Sequence, residues 1–395
     1  MNAPLKNLPT VEFQLNHQSV HAYEGESILK AAQRHGVDIP HLCHKDGLRA
    51  DGNCRACVVE IKGERTLAPS CCRTATAGLE VLVSERAVKS QKMVLEMLLS
   101  DMPDAGYKWN DASSTDVASA PTSNAALTQH GELSDWASRM GVNVRPELRA
   151  LRREQPACDA SHPAMAVNLD ACIQCNRCVR ACREEQVNDV IGYAHRGAQS
   201  QIVFDLNDPM GHSSCVACGE CVQACPTGAL MPKAHVGSQA VDKKVDSVCP
   251  FCGVGCLLTY HVKDNKIVSV EGRDGPANHN RLCVKGRFGL DYIHSPQRLT
   301  VPLIRKAGVP KDPALIGQLN HDVANWSQVF REATWEEALA LGAGQLKHLR
   351  DTHGKKALAG FGSAKGTNEE AYLFQKLVRT GFGSNNVDHC TRLCH

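Results

Sequence analysis

Sixteen of the twenty cysteines in this 395-residue chain fall into four spaced groups, and that spacing is the first chemistry to read. The chain shows no export signal, and reducing compartments keep thiols unpaired, so the regularity points to metal ligation rather than disulfides. Scattered buried thiols would show no regularity at all. The first group, Cys43, Cys54, Cys57 and Cys71, reads C-x10-C-x2-C-x13-C. One close pair flanked by two distant cysteines suits a loop-held [2Fe–2S] cluster better than zinc, which usually takes two close pairs. Glycines and small residues between the ligands let the backbone wrap an inorganic core and offer N–H groups to sulfur. Cys72 competes with Cys71 for the fourth place, and the spacing leaves that choice open.

The second and third groups are a repeat. "CIQCNRCVRAC" supplies Cys172, Cys175, Cys178 and Cys182, and "CVACGECVQACP" supplies Cys215, Cys218, Cys221 and Cys225. Each reads C-x2-C-x2-C-x3-C, the two-cluster ferredoxin run in which the fourth cysteine ligates the other cluster. One [4Fe–4S] cluster is therefore expected on Cys172, Cys175, Cys178 and Cys225, and a second on Cys215, Cys218, Cys221 and Cys182. Pro226 follows the second run, whereas the first is followed by Arg183, a charge able to shift that cluster's potential. The fourth group, Cys249, Cys252, Cys256 and Cys283, reads C-x2-C-x3-C-x26-C and suits another [4Fe–4S] cluster.

These cysteines need elements to position them. Around the first group, "VEFQL", "CVVEI" and "LEVLV" alternate as strands, and "ESILKAAQRHG" reads as a helix closed by Gly36. A helix over "RAVKSQKMVLEMLLS" carries Val94, Leu95, Leu98 and Leu99 on one face. It runs into "DASSTDVASAPTSNAA", a linker or insertion without periodicity. "LLTYHVKDNKIVSVEG" reads as a hairpin turning at Asp264-Asn265. "TWEEALALGAGQLKHLRDTHG" reads as a helix opened by a capping box from Thr334 to Glu337. Beyond it come a short apolar strand, a turn with Gly360, Gly362 and Gly366, and an amphipathic helix, the opening of an α/β domain. The G-x-G-x-x-x-G spacing of that turn weakens any nicotinamide reading.

Lys and Arg number 44 against 42 Asp and Glu, interleaved, so neither a nucleic-acid surface nor an acidic tail is indicated. No apolar run approaches the roughly 18 residues of a spanning helix, so no membrane span is expected and the chain is read as cytoplasmic.

Taken together, the ferredoxin runs, "CPFCGVGC", "EGRDGPANHNRLCVKGRFG", "REATWEEAL" and "GFGSAKGTNEEAYLFQKLVRTGFGSNNVDHCTRLCH" resemble the catalytic alpha subunit of cytoplasmic NAD-dependent formate dehydrogenases, in the molybdopterin oxidoreductase superfamily. The resemblance implies an α+β multidomain fold. Its parts are a β-grasp [2Fe–2S] domain over 1–85, a helix and low-complexity linker over 86–156, and a two-[4Fe–4S] ferredoxin domain over 157–240. A [4Fe–4S] molybdopterin oxidoreductase domain over 241–300 and the start of a pterin-binding α/β domain over 301–395 complete it.

In that family the segment resembling "TRLCH" places a cysteine or selenocysteine on molybdenum or tungsten held by a bis-molybdopterin guanine dinucleotide, with a histidine beside it. The resemblance maps these roles to Cys394 and His395. A thiolate is a suitable soft ligand, and an imidazole exchanges a proton near neutral pH. Lys285 is expected between the fourth cluster and a pterin, and Gly362 and Lys365 are expected to bind the same cofactor. The implied reaction is oxidation of formate to carbon dioxide, with electrons leaving through one [2Fe–2S] and three [4Fe–4S] clusters. Expected partners are a flavin- and NAD-binding beta subunit, which carries the FMN and NAD, and a small [2Fe–2S] gamma subunit.

Two departures stand out. Many relatives hold an extra cluster on one histidine and three cysteines before the ferredoxin pair, whereas His130 and His162 here have no such cysteine partners. The relatives also continue for several hundred residues, so the chain is expected to be a fragment or truncated product that does not hold the pterin stably alone. The competing expectation is an electron-transfer iron–sulfur subunit without its own catalysis, similar to the large peripheral subunit of NADH dehydrogenase.

Overall fold

The structure, a computed structural model, describes residues 9–102, 131–149, 153, 156–233, 241–296, 298–312 and 326–390. They form two compact units, residues 1–239 and 240–395.

The first unit opens with strands β1 (Thr10–Leu15) and β2 (Gln18–Tyr23), an antiparallel hairpin whose inward positions are Phe13, Leu15, Val20 and Ala22. Asn16 and His17 both take positive φ, 49° and 67°, the geometry of a two-residue turn that matches strand twist. Helix α1 (Ile28–Arg34) starts where the Ser27 hydroxyl accepts the Lys30 N–H and stops before Gly36, at φ 74°. Strands β3 (Val58–Ile61), β4 (Ala68–Pro69) and β5 (Glu80–Leu82) complete a sheet of order β2-β1-β5-β3-β4. Its β1–β5 pair is parallel and the rest antiparallel. This is a β-grasp, with α1 burying Ile28, Leu29, Ala31 and Ala32 in its core.

Helix α2 (Glu85–Ser100) is capped by Ser84, whose hydroxyl accepts the Ala87 N–H. Gln91 donates to the Val58 carbonyl at 2.8 Å, tying α2 to the sheet. Helix α3 (Glu132–Met140) ends at Gly141 in the left-handed region and is followed by the short α4 (Pro146–Arg149). Leu95 of α2 and Leu133 of α3 join Leu42, Ala56, Ala171 and Ile173 in a second buried core. The low-complexity stretch lies outside the described residues.

The cysteine repeat sits on short elements: β6 (Met165–Val167), α5 (Arg177–Arg180), β7 (Ile191–Ala194), β8 (Gln201–Phe204), α6 (Glu220–Ala224) and β9 (Leu230–Pro232). β6 pairs with β9 and β7 with β8, both antiparallel. A π-helical turn over Ala181–Glu185 extends α5.

The second unit begins with an antiparallel meander of β10 (Lys243–Val248), β11 (Leu257–Lys263) and β12 (Lys266–Gly272). Asp264 and Asn265, at φ 48° and 57°, turn the expected hairpin. After α7 (Val284–Phe288) and β13 (Leu303–Arg305), α8 (Trp326–Val329) leads into β14 (Phe330–Glu332), which pairs with β13. Helix α9 (Trp335–His353) is capped by Thr334, which accepts the Glu337 N–H at 3.2 Å. The expected capping box does not close there, because the Glu337 carboxylate accepts from Arg331 instead. Strand β15 (Gly360–Gly362), helix α10 (Asn368–Lys376) and strand β16 (Val387–His389) then form a parallel strand–helix–strand unit. A reciprocal box does close at α10, between Thr367 and Glu370.

Candidate metal centres

The β-grasp loop brings Cys43, Cys54, Cys57 and Cys71 together. The Cys43 N–H donates to Cys54 Sγ at 3.4 Å. Contact with Cys54, then with Cys71, holds the Cys43 thiol far below its ordinary range, and the same contacts push Cys54 and Cys71 far above theirs. Cys57 is lowered to about 7, chiefly by Cys71. Four sulfurs thus share protons that a bound metal would displace. The adjacent thiols differ in burial: Cys71 is 2% exposed and meets Cys43 and Cys57, whereas Cys72 is exposed, its Sγ 3.7 Å from that of Cys71. Gly52, at φ 66°, passes so close to Cys72 Sγ that a Cβ there would lie 2.8 Å away.

In the repeat, the four cysteines of each expected set face one cavity. Cys172, Cys175, Cys178 and Cys225 line one pocket together with Leu169, Ile202 and Leu230. Cys182, Cys215, Cys218 and Cys221 line another together with Ile191, Phe204 and Met210. The two loops share one backbone design. Gln174 and Asn176 in the first run, and Ala217 and Gly219 in the second, all take left-handed φ, and the N–H groups of Gln174 and Ala217 donate to Cys172 and Cys215 Sγ at 3.4 Å. Three of these four residues are not glycine, so the surrounding structure must hold the loops in that conformation. Burial pushes Cys172 up to about 11, Cys175 to about 12 and Cys178 well up. Arg183 is paired with Asp189 at 2.7 Å, out in solvent.

The fourth group also comes together. Cys256 interacts with Cys249, Cys252 and Cys283, and the Cys249 N–H donates to the Cys256 carbonyl at 2.8 Å. Cys249 is buried, Cys252 and Cys256 are half-buried, and Cys283, which caps α7, is exposed. Lys285 is exposed on α7. The Asn368 side chain donates to the Gly253 carbonyl at 2.8 Å, so the cysteine loop and the turn before α10 are joined. Gly362, at the end of β15, pairs in register with His389, and in the turn the Ala364 N–H donates to Cys390 Sγ at 3.3 Å and Lys365 is exposed. Cys394 and His395 lie outside the described residues, as does His130.

Among the described residues no three His, Cys, Asp or Glu side chains close on a single metal ion. The repeat's thiols ring cavities instead, an all-sulfur donor set with N–H groups aimed at sulfur, which fits polynuclear iron–sulfur groups. Two features escaped the sequence reading. His162 is a buried structural acceptor, its Nδ1 taking the Ala164 and Met165 N–H groups at 3.1 Å each, and burial lowers its pKa. Arg177 and Arg180 of α5 are buried and reach into the β-grasp loop: Arg177 donates to the Leu42 carbonyl at 3.1 Å and Arg180 to those of Cys43 and Arg49. Only their place inside a cysteine run hinted at a role.

Comparison with known proteins gives the same order of parts. Residues 9–86 match a 2Fe-2S iron-sulfur cluster binding domain and 171–229 a 4Fe-4S dicluster domain. Residues 242–295 match the molybdopterin oxidoreductase Fe4S4 domain and 298–395 the molybdopterin oxidoreductase family. The chain is 30% identical to the Bacillus subtilis protein named "Putative formate dehydrogenase YrhE", over 99% of this chain and 40% of that one. It is also 30% identical to the NADPH-Fe(3+) oxidoreductase subunit alpha of Geobacter sulfurreducens, over 97% of this chain and 40% of that one. A crystal structure of an NAD+-reducing [NiFe]-hydrogenase in the H2-reduced state aligns with 59% of this chain and 92% of its own, with a TM-score of 0.48 and 26% identity. The chain therefore spans about 40% of the length of these two curated relatives. Its cysteine sites stand on these domain families in turn, and the chain belongs to the molybdopterin oxidoreductases that carry 2Fe-2S and Fe4S4 domains.

Proposed function

We propose that this chain is the iron–sulfur-bearing part of an NAD-dependent formate dehydrogenase, relaying electrons from a molybdenum or tungsten bis-pterin centre to a flavin- and NAD-binding partner in the cytoplasm. The observation that carries this is the pair of cavities, each walled by three cysteines of one run and the fourth of the other, in a chain whose later part matches the molybdopterin oxidoreductase family. When bound, the clusters supply one-electron chemistry and the pterin-held metal accepts two electrons from substrate. Cys43, Cys54, Cys57 and Cys71 hold the [2Fe–2S] group, with Cys71 rather than exposed Cys72 as the fourth ligand. The two sets around the cavities and the set Cys249, Cys252, Cys256 and Cys283 hold three [4Fe–4S] groups. Leu169, Ile202, Phe204 and Met210 keep water from the first two of these. Cys394 as metal ligand, His395 as proton carrier, and Lys285, Gly362 and Lys365 as pterin contacts complete the reading. Among the described residues no helix is long and apolar enough to cross a membrane.

The test is anaerobic addition of formate to the complex purified from its source. Bleaching of iron–sulfur absorbance supports the reading, and His395→Ala should slow it by orders of magnitude. A second reading, electron transfer without catalysis at this chain, is favoured by the equal identity to the NADPH-Fe(3+) oxidoreductase subunit. Bleaching by NADPH but not by formate would select it.

A further inference from the structure

The two cysteine runs share their backbone but not their charge. In "CIQCNRC" the residue before the third cysteine is Arg177, and in "CVACGEC" the same place holds Glu220. Arg177 is completely buried. Its guanidinium meets the Glu132 carboxylate in a two-pronged pair, with Nη2 to Oε1 at 2.7 Å, and Nη1 also donates to the Leu42 carbonyl. Its Nε has no hydrogen-bond partner. Glu220 is only half-buried. Burying a guanidinium with a donor unsatisfied costs stability that an apolar side chain of similar size would not, so packing alone does not account for Arg177. Its neighbours suggest what does. Leu42 and Cys43 share one buried core with Cys172, Cys175 and Cys225, the thiols of the β-grasp loop and of the first cavity together.

Resting on the iron–sulfur reading above, we propose that Arg177 splits the two ferredoxin-type sites in potential. Its buried positive charge stabilises the added electron of a group held by Cys172, Cys175, Cys178 and Cys225, raising that group's potential above that of its twin. Net charge and hydrogen bonding near the sulfurs are the levers that set cluster potentials, and their effect grows in a low-dielectric core. Glu132, the paired anion, limits the rise. Because this core also holds Cys43, the higher-potential site is the one that abuts the β-grasp loop, and electrons settle on that side of the pair.

The test is a potentiometric titration of the iron-loaded holoprotein followed by electron paramagnetic resonance, with the signal of the first site assigned by its loss in Cys225→Ser. Arg177→Met should lower that midpoint by about tenfold in the one-electron equilibrium, or 59 mV, while the second site's stays put. Arg177→Lys should restore most of the shift, and Glu132→Gln should move the midpoint upward. Should Arg177→Met fail to fold, the upward movement in Glu132→Gln decides the matter, and its absence overturns the role of Arg177. Unchanged midpoints in variants with full iron would overturn the role of Arg177 and leave the cluster reading standing. Wild-type protein that takes up no iron at the Cys225 site would instead remove the cluster reading itself.

Discussion

Helices α2 and α9 are both long and capped by a hydroxyl, yet they meet opposite fates. Leu95 of α2 is fully buried against the cysteine loops, and α2 is fastened to the β-grasp through Gln91. Helix α9 buries no residue at all, with Trp335 65% and Leu339 62% exposed. The metal sites divide the same way. Thiols of the repeat line pockets walled by apolar side chains, whereas Cys283 of the second unit is open to solvent. Periodicity and capping suffice to make a helix, but burial needs a facing surface, and among the described residues α2 has one where α9 does not.

The comparison can be broken most sharply at the cysteines. Cys172→Ser and Cys225→Ser should each remove the same [4Fe–4S] group, about four irons per chain, with identical spectral losses. If Cys225→Ser instead matches Cys215→Ser, the crossed pairing is wrong. A smaller effect separates the helices: Leu95→Ala should cost about 2–5 kcal/mol of stability in denaturant titration. Leu339→Ala should stay within about 0.5 kcal/mol. Equal losses would mean that α9 is packed in the working protein. The smallest effect concerns His162, whose folded pKa lies below its ordinary 6.5. The unfolded chain then takes up a proton before the folded one, so this contribution is complete above about pH 6.5 and declines as pH falls toward the lowered value. His162→Phe should flatten that slope, and an unaltered slope would assign it to other groups.

Much of this was legible from spacing. The doubled C-x2-C-x2-C-x3-C run carries the crossed assignment of its fourth cysteines, and the cysteines lining each pocket follow that arrangement. Asp264-Asn265 announced its hairpin because both residues tolerate left-handed backbone. The choice between Cys71 and Cys72 was not legible, because the two adjacent thiols differ in burial, which spacing does not encode, and not in type. Nor was the Arg177–Glu132 pair, formed across 45 residues of chain by the packing of α3 on the cysteine loops. Thr334 and Glu337 had the spacing of a capping box, but Arg331 outcompeted the backbone for the glutamate.

The central claim, polynuclear iron at four sulfur sites serving a pterin-held metal, is tested most directly by metal content per chain in protein purified from its native source. About fourteen irons, two plus three times four, with molybdenum or tungsten near one per chain, is the predicted result. A few zinc ions in place of that iron would contradict the account at its base. Full iron without molybdenum or tungsten would contradict the formate-oxidising reading and leave an electron carrier.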